Sequence, residues 1–424
     1  IGSNIVLGEN TYVGGKVTTD SRQLRNSYYE ENKKSGFSGS ISGGSISLGY
    51  GKSRDTYDEK SVINAGSNLV IGDGSVLNNG AEITATNFEY GNIQINNGDV
   101  KYGARIDTRD IHTSSESSNF GVSVGISSPI VERAIQIGQA VDQLKSGDTA
   151  GGAMEAINAV TGMVKGLSGN ITKRDGTRAT MTDIEKGDFK VNNDFYVIVN
   201  INVGFSKSKS STNSHTENAV VTTMKPLNEN SSITYNNVKN ITYQGTQAQG
   251  GTFIYNNVEN IQKEAVELNN SFSSESSGFG VGVSAGIGSN GKIKPSGISG
   301  SVSANRSNQN TVETIHANGN FNNVNEVHNN TKNMTLRGFN QEGGKVTGTI
   351  ENLEVISLQN KSTTTGSSSG ISVGISSSGI PNSVNISGTH TDGNRAYVDN
   401  QSTFIAGEGS SLTVGKAANT GAVI

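Results

Sequence analysis

The sequence predicts an all-β chain folded as a parallel β-helix, or β-solenoid, and three observations lead there. The chain has 424 residues with 55 Gly, 4 Pro and only 32 % hydrophobic residues, too little apolar mass for the two or three thick cores that its length would allow. A motif of about 20 residues repeats, and a strand cassette with strict alternation recurs four times. A solenoid reconciles these facts because each coil buries only a narrow apolar stripe against its neighbours.

The short repeat is clearest at residues 235–241 and 255–261, which read YNNVKNI and YNNVENI at an offset of 20 residues. Looser copies are expected at residues 321–327 and 350–355. β-branched residues alternate and Asn stands at the bends, where it tolerates left-handed conformations and can form side-chain ladders. The rival leucine-rich repeat needs a Leu-x-x-Leu-x-Leu frame that is missing here. Each copy is therefore interpreted as part of one β-solenoid coil.

The longer cassette predicts a β-hairpin arm. Its outgoing strand stands at residues 36–43, 119–127, 278–288 and 370–379, where apolar residues alternate with Gly and Ser. This period of two predicts a half-buried strand. Each copy has a matching return strand. The apolar residues of the four returns are Ile46 and Leu48; Val197, Val199, Ile201 and Val203; Ile298, Val302 and Ala304; and Val384 and Ile386.

Similar Gly-Ser segments at residues 2–8, 66–72 and 409–415 predict further coils with Gly at the corners. The chain is accordingly predicted to be one continuous repeat region, 1–424, that alternates coils with arms. Its expected divisions are 1–65, a coil plus an arm; 66–222, coils plus an arm with a helical insertion; 223–315, coils plus an arm; and 316–424, coils plus an arm and a closing coil.

The insertion at residues 129–168 breaks the β pattern. Apolar residues there recur at three- and four-residue spacing on either side of a Gly-rich turn, which predicts two amphipathic helices at the tip of the second arm. Their apolar stripes either bury each other or pack on the arm, or they contact a partner protein or membrane. The candidate partner-contact residues are Ile130, Ile137, Val141, Leu144, Met154, Ile157, Val164 and Leu167.

Composition argues against several functional classes. The net charge of −4 offers no basic field for nucleic acid, and the absence of Cys excludes a disulfide scaffold and a thiolate metal site. None of the five His has a zinc-ligand spacing, so no metal, cofactor-binding or catalytic residue is predicted. The densest charged group, Arg105, Asp107, Arg109 and Asp110, is interpreted as a solvated connector. We therefore predict that the chain is not an enzyme and has no cofactor, with a carbohydrate-active β-helix enzyme as a remote alternative.

The Ser-Ser-Gly-x-x-Val-Ser-Val-Gly-Ile cassette, its Ser/Asn/Thr-rich return and the Gly-Ser-x-Leu coil resemble the haemagglutinin repeats of the filamentous haemagglutinin family. That family includes the effectors of contact-dependent growth inhibition, exported by two-partner secretion. The resemblance implies a right-handed β-helical filament, secreted to the exterior of the Gram-negative outer membrane. It implies an adhesin or toxin-delivery role in virulence, with a transporter partner during export and a receptor or outer membrane on the contacted cell.

Two other interpretations remain open: a purely structural stalk whose arms only brace the filament, and a trimeric autotransporter stalk, for which the expected heptads are missing. Patterned sequence at both ends leads us to expect a fragment of a longer protein. With about a dozen coils at about 4.8 Å each, the rod would be about 55–60 Å long. The oligomeric state is left open.

Overall fold

A computed structural model describes residues 2–42, 45–127, 171–172, 175, 177, 190–191, 197–289, 293–376 and 380–424. Within these ranges every regular element is a β-strand, and the strands are numbered in chain order as β1 to β30. They form a rod of stacked parallel coils and one large antiparallel sheet beside it. The predicted all-β solenoid with hairpin arms is confirmed. The predicted helical hairpin at 129–168 lies outside the described residues.

In the part of the chain that the structure describes, the rod has eight coils, each contributing one strand to an eight-stranded parallel sheet called face 1. The expectation of about a dozen coils was wrong, because each arm strand consumes 16 to 25 residues. The strands of face 1 are β1 (Asn4–Leu7), β6 (Ser67–Ile71), β9 (Thr86–Tyr90), β16 (Thr223–Pro226), β19 (Gln247–Gln249), β23 (Gly319–Asn322), β25 (Phe339–Glu342) and β29 (Thr403–Ile405).

Two further parallel faces complete each coil. In the first four coils, face 2 consists of β2 (Tyr12–Val13), β7 (Val76–Leu77), β10 (Ile93–Asn96) and β17 (Ser232–Asn236). Face 3 consists of β3 (Val17–Thr19), β8 (Ala81–Thr84), β11 (Val100–Gly103) and β18 (Asn240–Gln244). From the fifth coil on, one strand runs through both faces: β20 (Thr252–Glu264), β24 (Asn325–Arg337), β26 (Val346–Ile356) and β30 (Ser411–Thr420).

The core lies between the three faces and is built by stacking like on like. Tyr235 pairs with Tyr255 one coil on, and their rings stack with centroids 5.3 Å apart and an interplanar angle of 8°. Tyr102 and Tyr243 stack in the same way at 5.0 Å. Strand alternation points every second side chain inward, so each face adds only one or two buried apolar side chains per strand, such as Leu69 and Ile71, and these narrow columns fill the rod. The low apolar content of the sequence therefore suffices.

Asparagine holds the corners, as predicted. Asn237 and Asn257 adopt positive φ angles of 56° and 52°, a conformation that Asn reaches more easily than most residues do. Along the rod, the Asn256 side chain donates to Asn236 at 2.7 Å, and Asn329 donates to Asn256 at 2.8 Å. Each coil thus satisfies side-chain groups of the next.

Two looser copies of the short repeat were misaligned. Phe321 lies on face 1, where it pairs with Ala248, and the residue that stacks on Tyr255 is His328. The copy at residues 350–355 does belong to a coil, but Leu353 rather than Val355 occupies the column of Ile261, through Met334. The two strict copies align in register at their offset of 20 residues, whereas the looser copies resemble the motif but do not occupy the same positions in their coils.

The four hairpins are confirmed, but they do not stand apart. Their outgoing and return strands are joined edge to edge in one antiparallel eight-stranded sheet, which we call the arm sheet. Its hairpins are β4 (Arg22–Ser42) with β5 (Ser45–Ala65), β12 (Arg105–Ser127) with β15 (Val197–Val220), β21 (Val266–Ser289) with β22 (Ile293–Ala317), and β27 (Asn360–Ile375) with β28 (Pro381–Tyr397). A separate short pair joins β13 (Ile171–Thr172) to β14 (Lys190–Val191).

The spacing of the hairpins along the rod explains why they can join. They leave the rod after the first, third, fifth and seventh coils, so successive hairpins are two coils apart. Two coils rise about 9.6 Å, and the two strands of a hairpin occupy about 9.6 Å in a sheet. Because the two repeats match, each hairpin arrives beside the previous one at hydrogen-bonding distance.

Candidate functional site: the arm sheet

The distal half of the arm sheet, away from the rod, has an apolar face. Directly paired residues of neighbouring strands lie on the same face of an antiparallel sheet. The register therefore places one apolar row across all eight strands, from Phe37 to Val384, with three further rows beside it. The members of these rows that have described side chains are Phe37, Tyr50, Phe120, Phe205, Val281, Val302, Val373 and Val384; Leu48, Val122, Val203, Val283 and Ile375; Ile46, Val124, Ile201, Ala285 and Ile298; and Phe279, Ala304, Ile371 and Ile386.

This apolar face is open to solvent. Phe37 is 90 % exposed, Leu48 65 %, Ile386 78 % and Phe120 48 %. The sequence predicted half-buried strands, and that expectation was wrong for these positions, since the arm sheet is a single layer within the described residues. A continuous apolar area of this kind is uncommon on a soluble protein and marks a contact surface.

The opposite face of the same distal strands carries only small residues. Asn119, Gly121 and Ser123 of β12 pair with Ser206, Gly204 and Asn202 of β15, and the pattern continues across the sheet. The side chains are so short that this face is a shallow polar trough of main-chain groups and hydroxyls. Further trough residues include Ser38, Ser40, Ser47, Gly49, Gly51, Gly280, Gly282, Ser284, Ser299, Ser301, Ser303, Gly370, Ser372, Gly374, Ser383, Asn385 and Ser387.

A belt of cations borders the apolar face on the side toward the rod. The nearest rows of that face carry six basic side chains, of which some pair with acids. Glu31 accepts from Lys33 at 3.0 Å and from Arg54 at 2.5 Å, and these bonds hold the pKa of Glu31 below its ordinary value. Lys209 lies 2.9 Å from Glu116. The belt consists of Lys33, Lys52, Arg54, Lys207, Lys209 and Arg306.

Where the arms leave the rod, charged side chains tie neighbouring strands together. Arg109 donates to Glu59 at 2.9 Å, and with a hydrogen bond from Tyr57 this lowers the pKa of Glu59 to about 2. Asp110 accepts from His215 at 2.6 Å, which raises the pKa of His215. The charged group that the sequence singled out therefore pairs across strands of the arm sheet. It brings no cluster of catalytic acids together.

A second unusual cluster is buried in the rod. Lys263 and Glu326 are both fully buried and lie 2.6 Å apart, and Gln341 contacts both of them. Burial opposes ionisation of Glu326, but the Lys263 ammonium and the neighbouring His328 outweigh it and hold the pKa of Glu326 well below its ordinary value. Burial lowers the pKa of Lys263, while Glu326 opposes that change.

This core cluster continues as a chain of buried hydroxyls. Tyr255 donates to Glu326 at 3.0 Å, and Tyr243, Tyr235 and Tyr102 follow with oxygen–oxygen distances of 3.1, 3.1 and 2.8 Å. All of these groups are closed to solvent, so no substrate reaches them. The arrangement supports a structural role in joining coils.

The eight predicted partner-contact residues all lie outside the described residues. They are Ile130, Ile137, Val141, Leu144, Met154, Ile157, Val164 and Leu167. The segment that holds them connects Ser127 to Val197, the distal ends of β12 and β15. It therefore begins and ends at the distal end of the arm sheet.

The described residues contain no group of three or more His, Asp or Glu side chains placed to hold a metal ion. Across the same part of the chain, no helix is long and apolar enough to span a membrane. Sequence reasoning missed both the exposed apolar face and the buried cluster. The exposed apolar face depends on pairing between cassettes that are distant in sequence. The buried cluster depends on a charged residue, Lys263, at a position whose side chain points into the rod.

Comparison with known proteins gives one match. Residues 203–371 match the family model described as Hemagglutinin repeat. The match runs from the return strand of the second hairpin, through the third, to the outgoing strand of the fourth. It confirms the resemblance drawn from the cassettes. No curated protein and no solved structure matches the chain.

Proposed function

We propose that the chain is a filament segment of a secreted bacterial adhesin or toxin-delivery protein of the filamentous haemagglutinin type, because residues 203–371 match the hemagglutinin repeat. Proteins with this repeat are secreted surface adhesins, and the family is structural rather than enzymatic. The segment mediates contact with a host cell or a neighbouring bacterium. It acts on the exterior of a Gram-negative outer membrane, after two-partner secretion through a transporter.

One observation carries the proposal: a stiff rod holds out a sheet whose two faces are both exposed. The longest arm strands have 24 or 25 residues, so they extend about 80 Å from the rod at about 3.3 Å per residue. Main-chain hydrogen bonds between successive coils make the rod rigid. The arm sheet therefore holds its faces at a fixed orientation, which suits contact across a gap between cells.

The polar trough and the apolar face offer different contacts. The trough can exchange hydrogen bonds with a polar receptor through Asn119, Ser123 and Asn202. The apolar face, centred on Val203, offers the desolvated contact that usually dominates an interface. The segment 129–168 and its eight apolar residues remain part of the proposed contact region, since the segment is attached at the distal end of the arm sheet.

Binding of the purified chain to intact Gram-negative cells and to epithelial cells tests the proposal. We expect saturable binding that falls when residues 129–168 are deleted or when Phe120 and Phe205 are both changed to Ser. A matched control changes Asn119 and Asn202 to Ser; both lie in the trough, within three residues of those positions. A loss confined to the control would assign contact to the trough instead.

A purely structural stalk is the second candidate. Edge-to-edge pairing of all four arms favours it, because a continuous sheet would also brace the rod against bending. A folded rod that binds neither cell type would favour this stalk. Carbohydrate-active chemistry would require turnover of a polysaccharide by the purified chain, which we do not expect.

A further inference from the structure

We propose that the apolar face of the arm sheet is a homophilic interface, in which two copies of this chain pack it face to face with their rods on opposite sides. The inference rests on the contact role assigned to the arm sheet and names a second copy as its partner. The result is a two-layer β-sandwich in which each copy supplies one sheet.

The first argument is the lack of a second layer. A sheet with one apolar face is ordinarily covered by another layer, and two such sheets pack about 10 Å apart in a sandwich. Here Phe37, Leu48 and Ile386 are among the most exposed large apolar side chains of the described residues. A second identical face offers the same rows of aromatic and β-branched side chains for interdigitation.

The second argument is area. The four rows hold 22 apolar positions, each about 4.8 Å wide across the sheet and about 6.8 Å long along the strand, which gives about 700 Å² on each copy. Two copies would bury about 1,400 Å², within the size range of specific, stable protein interfaces. The face is therefore large enough to hold a dimer without any contribution from the rods.

The third argument fixes the orientation. With both rods on the same side, the two-fold axis would run along the strands, so Lys207 would face Phe279 of the second copy and Lys52 would face Ile371, and both charges would be desolvated against apolar side chains. With the rods on opposite sides and the distal halves overlapping about the row of Val203, the row that holds Lys52 and Lys207 lies at the end of the overlap, next to solvent. A two-fold axis then passes near Val203 and Val283, which pair directly in the middle of the face. Such an interface is self-complementary and closes at two copies.

The whole chain tests the interface through sedimentation velocity. We expect a dimer whose dissociation constant rises at least about 100-fold on Val203→Asp, since a charge at the interface centre would be buried without a partner. Asn202→Asp, one residue along the same strand but in the trough, should change it less than about threefold. A monomeric chain at all accessible concentrations, or equal effects of the two variants, would overturn the interface.

Because the chain has no Cys, single thiols give a second test. Val203→Cys near the two-fold axis should be cross-linked into a covalent dimer by a short bismaleimide that spans the gap between the two sheets, whereas Asn202→Cys, on the opposite face, should stay monomeric. A monomer whose Val203→Cys thiol resists maleimide until residues 129–168 are deleted would show that the chain covers its own face. A monomer with a reactive thiol that binds only anionic phospholipid vesicles would assign the face to lipid. Either result refutes the homophilic interface. Cell binding by a strictly monomeric chain would leave the proposed adhesin role in place.

Discussion

Replacing Lys263 with Met tests how the buried cluster holds the coils together. Met has a similar length and keeps the column filled, but it removes the ammonium that lies 2.6 Å from Glu326. The carboxylate would remain fully buried, with hydrogen bonds from Tyr255 and Gln341 and with the His328 ring 3.6 Å away. Breaking a buried ion pair by removing one partner costs roughly 3–5 kcal/mol. Because two donors remain, we expect a loss near the lower end, about 3 kcal/mol.

The matched control removes both charges. In the Lys263→Met, Glu326→Leu double variant no buried charge is left, and replacement of a buried pair by apolar residues is often neutral or stabilising. Because the buried Gln341 amide then loses its hydrogen bonds to both residues, we expect the double variant to lie about 1–2 kcal/mol below the parent, still above the single variant in stability. The contrast separates an unpaired charge from poorer packing.

Stacked coils need not unfold as one unit, so amide hydrogen exchange is the appropriate assay. The free energy of opening should fall in β20 and β24, which carry the two charges, and stay unchanged in β6, three or more coils away. Unchanged protection in β20 and β24, or a double variant as weak as the single one, would refute the reasoning.

The pH dependence gives the same prediction an internal check. In the parent chain the pKa of Glu326 is lowered from 4.5, so its stabilisation is present above that value and declines as the pH falls. Without Lys263, we expect burial, the largest influence on this carboxyl, to outweigh the neighbouring His328 and raise the pKa of Glu326. The stability of the single variant should therefore fall as the pH rises from 4 to 7, opposite in sign to the parent's own pH dependence, so the loss relative to the parent grows over that range.

Three further predictions concern the corners and the arm base. Asn257 has a φ of 52°, a conformation that disfavours β-branched residues, so Asn257→Val should lower the free energy of opening of its coil by about 1–2 kcal/mol. Asn257→Gly should lower it by less, and amide hydrogen exchange in β20 measures both variants. Gly344 has a φ of 74°, and a Cβ there would lie 2.1 Å from the carbonyl oxygen of Val324. Gly344→Ala should therefore lower the midpoint of thermal unfolding, and an unchanged midpoint would contradict the close approach of these two coils. The Asp110 carboxylate raises the pKa of His215 above 6.5, so this contact stabilises the arm base below pH 6.5, and the stabilisation is lost as the pH rises through the raised value. His215→Gln should remove that pH dependence, which amide hydrogen exchange in β15 measured against pH would show.

The sequence predicted the solenoid because its signals are local. Tyr235 and Tyr255 stand one period apart, and their strict repeat specifies both the stacking and the Asn corners. The alternation in each cassette likewise specified its hairpin. Drifted copies were less informative: Phe321 matched the motif by type, but it lies on another face of the rod.

The arm sheet was not predictable in the same way. Phe120 pairs with Tyr50 and Val203 with Val283, each pair 70 or more residues apart in sequence, and those pairings depend on the number of coils between cassettes. Alternation identifies an apolar face but does not reveal whether another layer covers it. For Lys263 a signal does exist: aligning the two strict repeats puts it in the inward column of Tyr243, where a charge needs a partner.

The match between two coils and one hairpin has a consequence for how such a protein can lengthen. One unit of two coils and a hairpin is a translational module, so a tandem duplication extends the rod and widens the arm sheet by equal steps. Insertion of a single coil would instead leave a gap of one strand in the sheet. Selection for contact area would therefore favour gains and losses of whole modules, and the width of the contact surface would record how many duplications a lineage has kept.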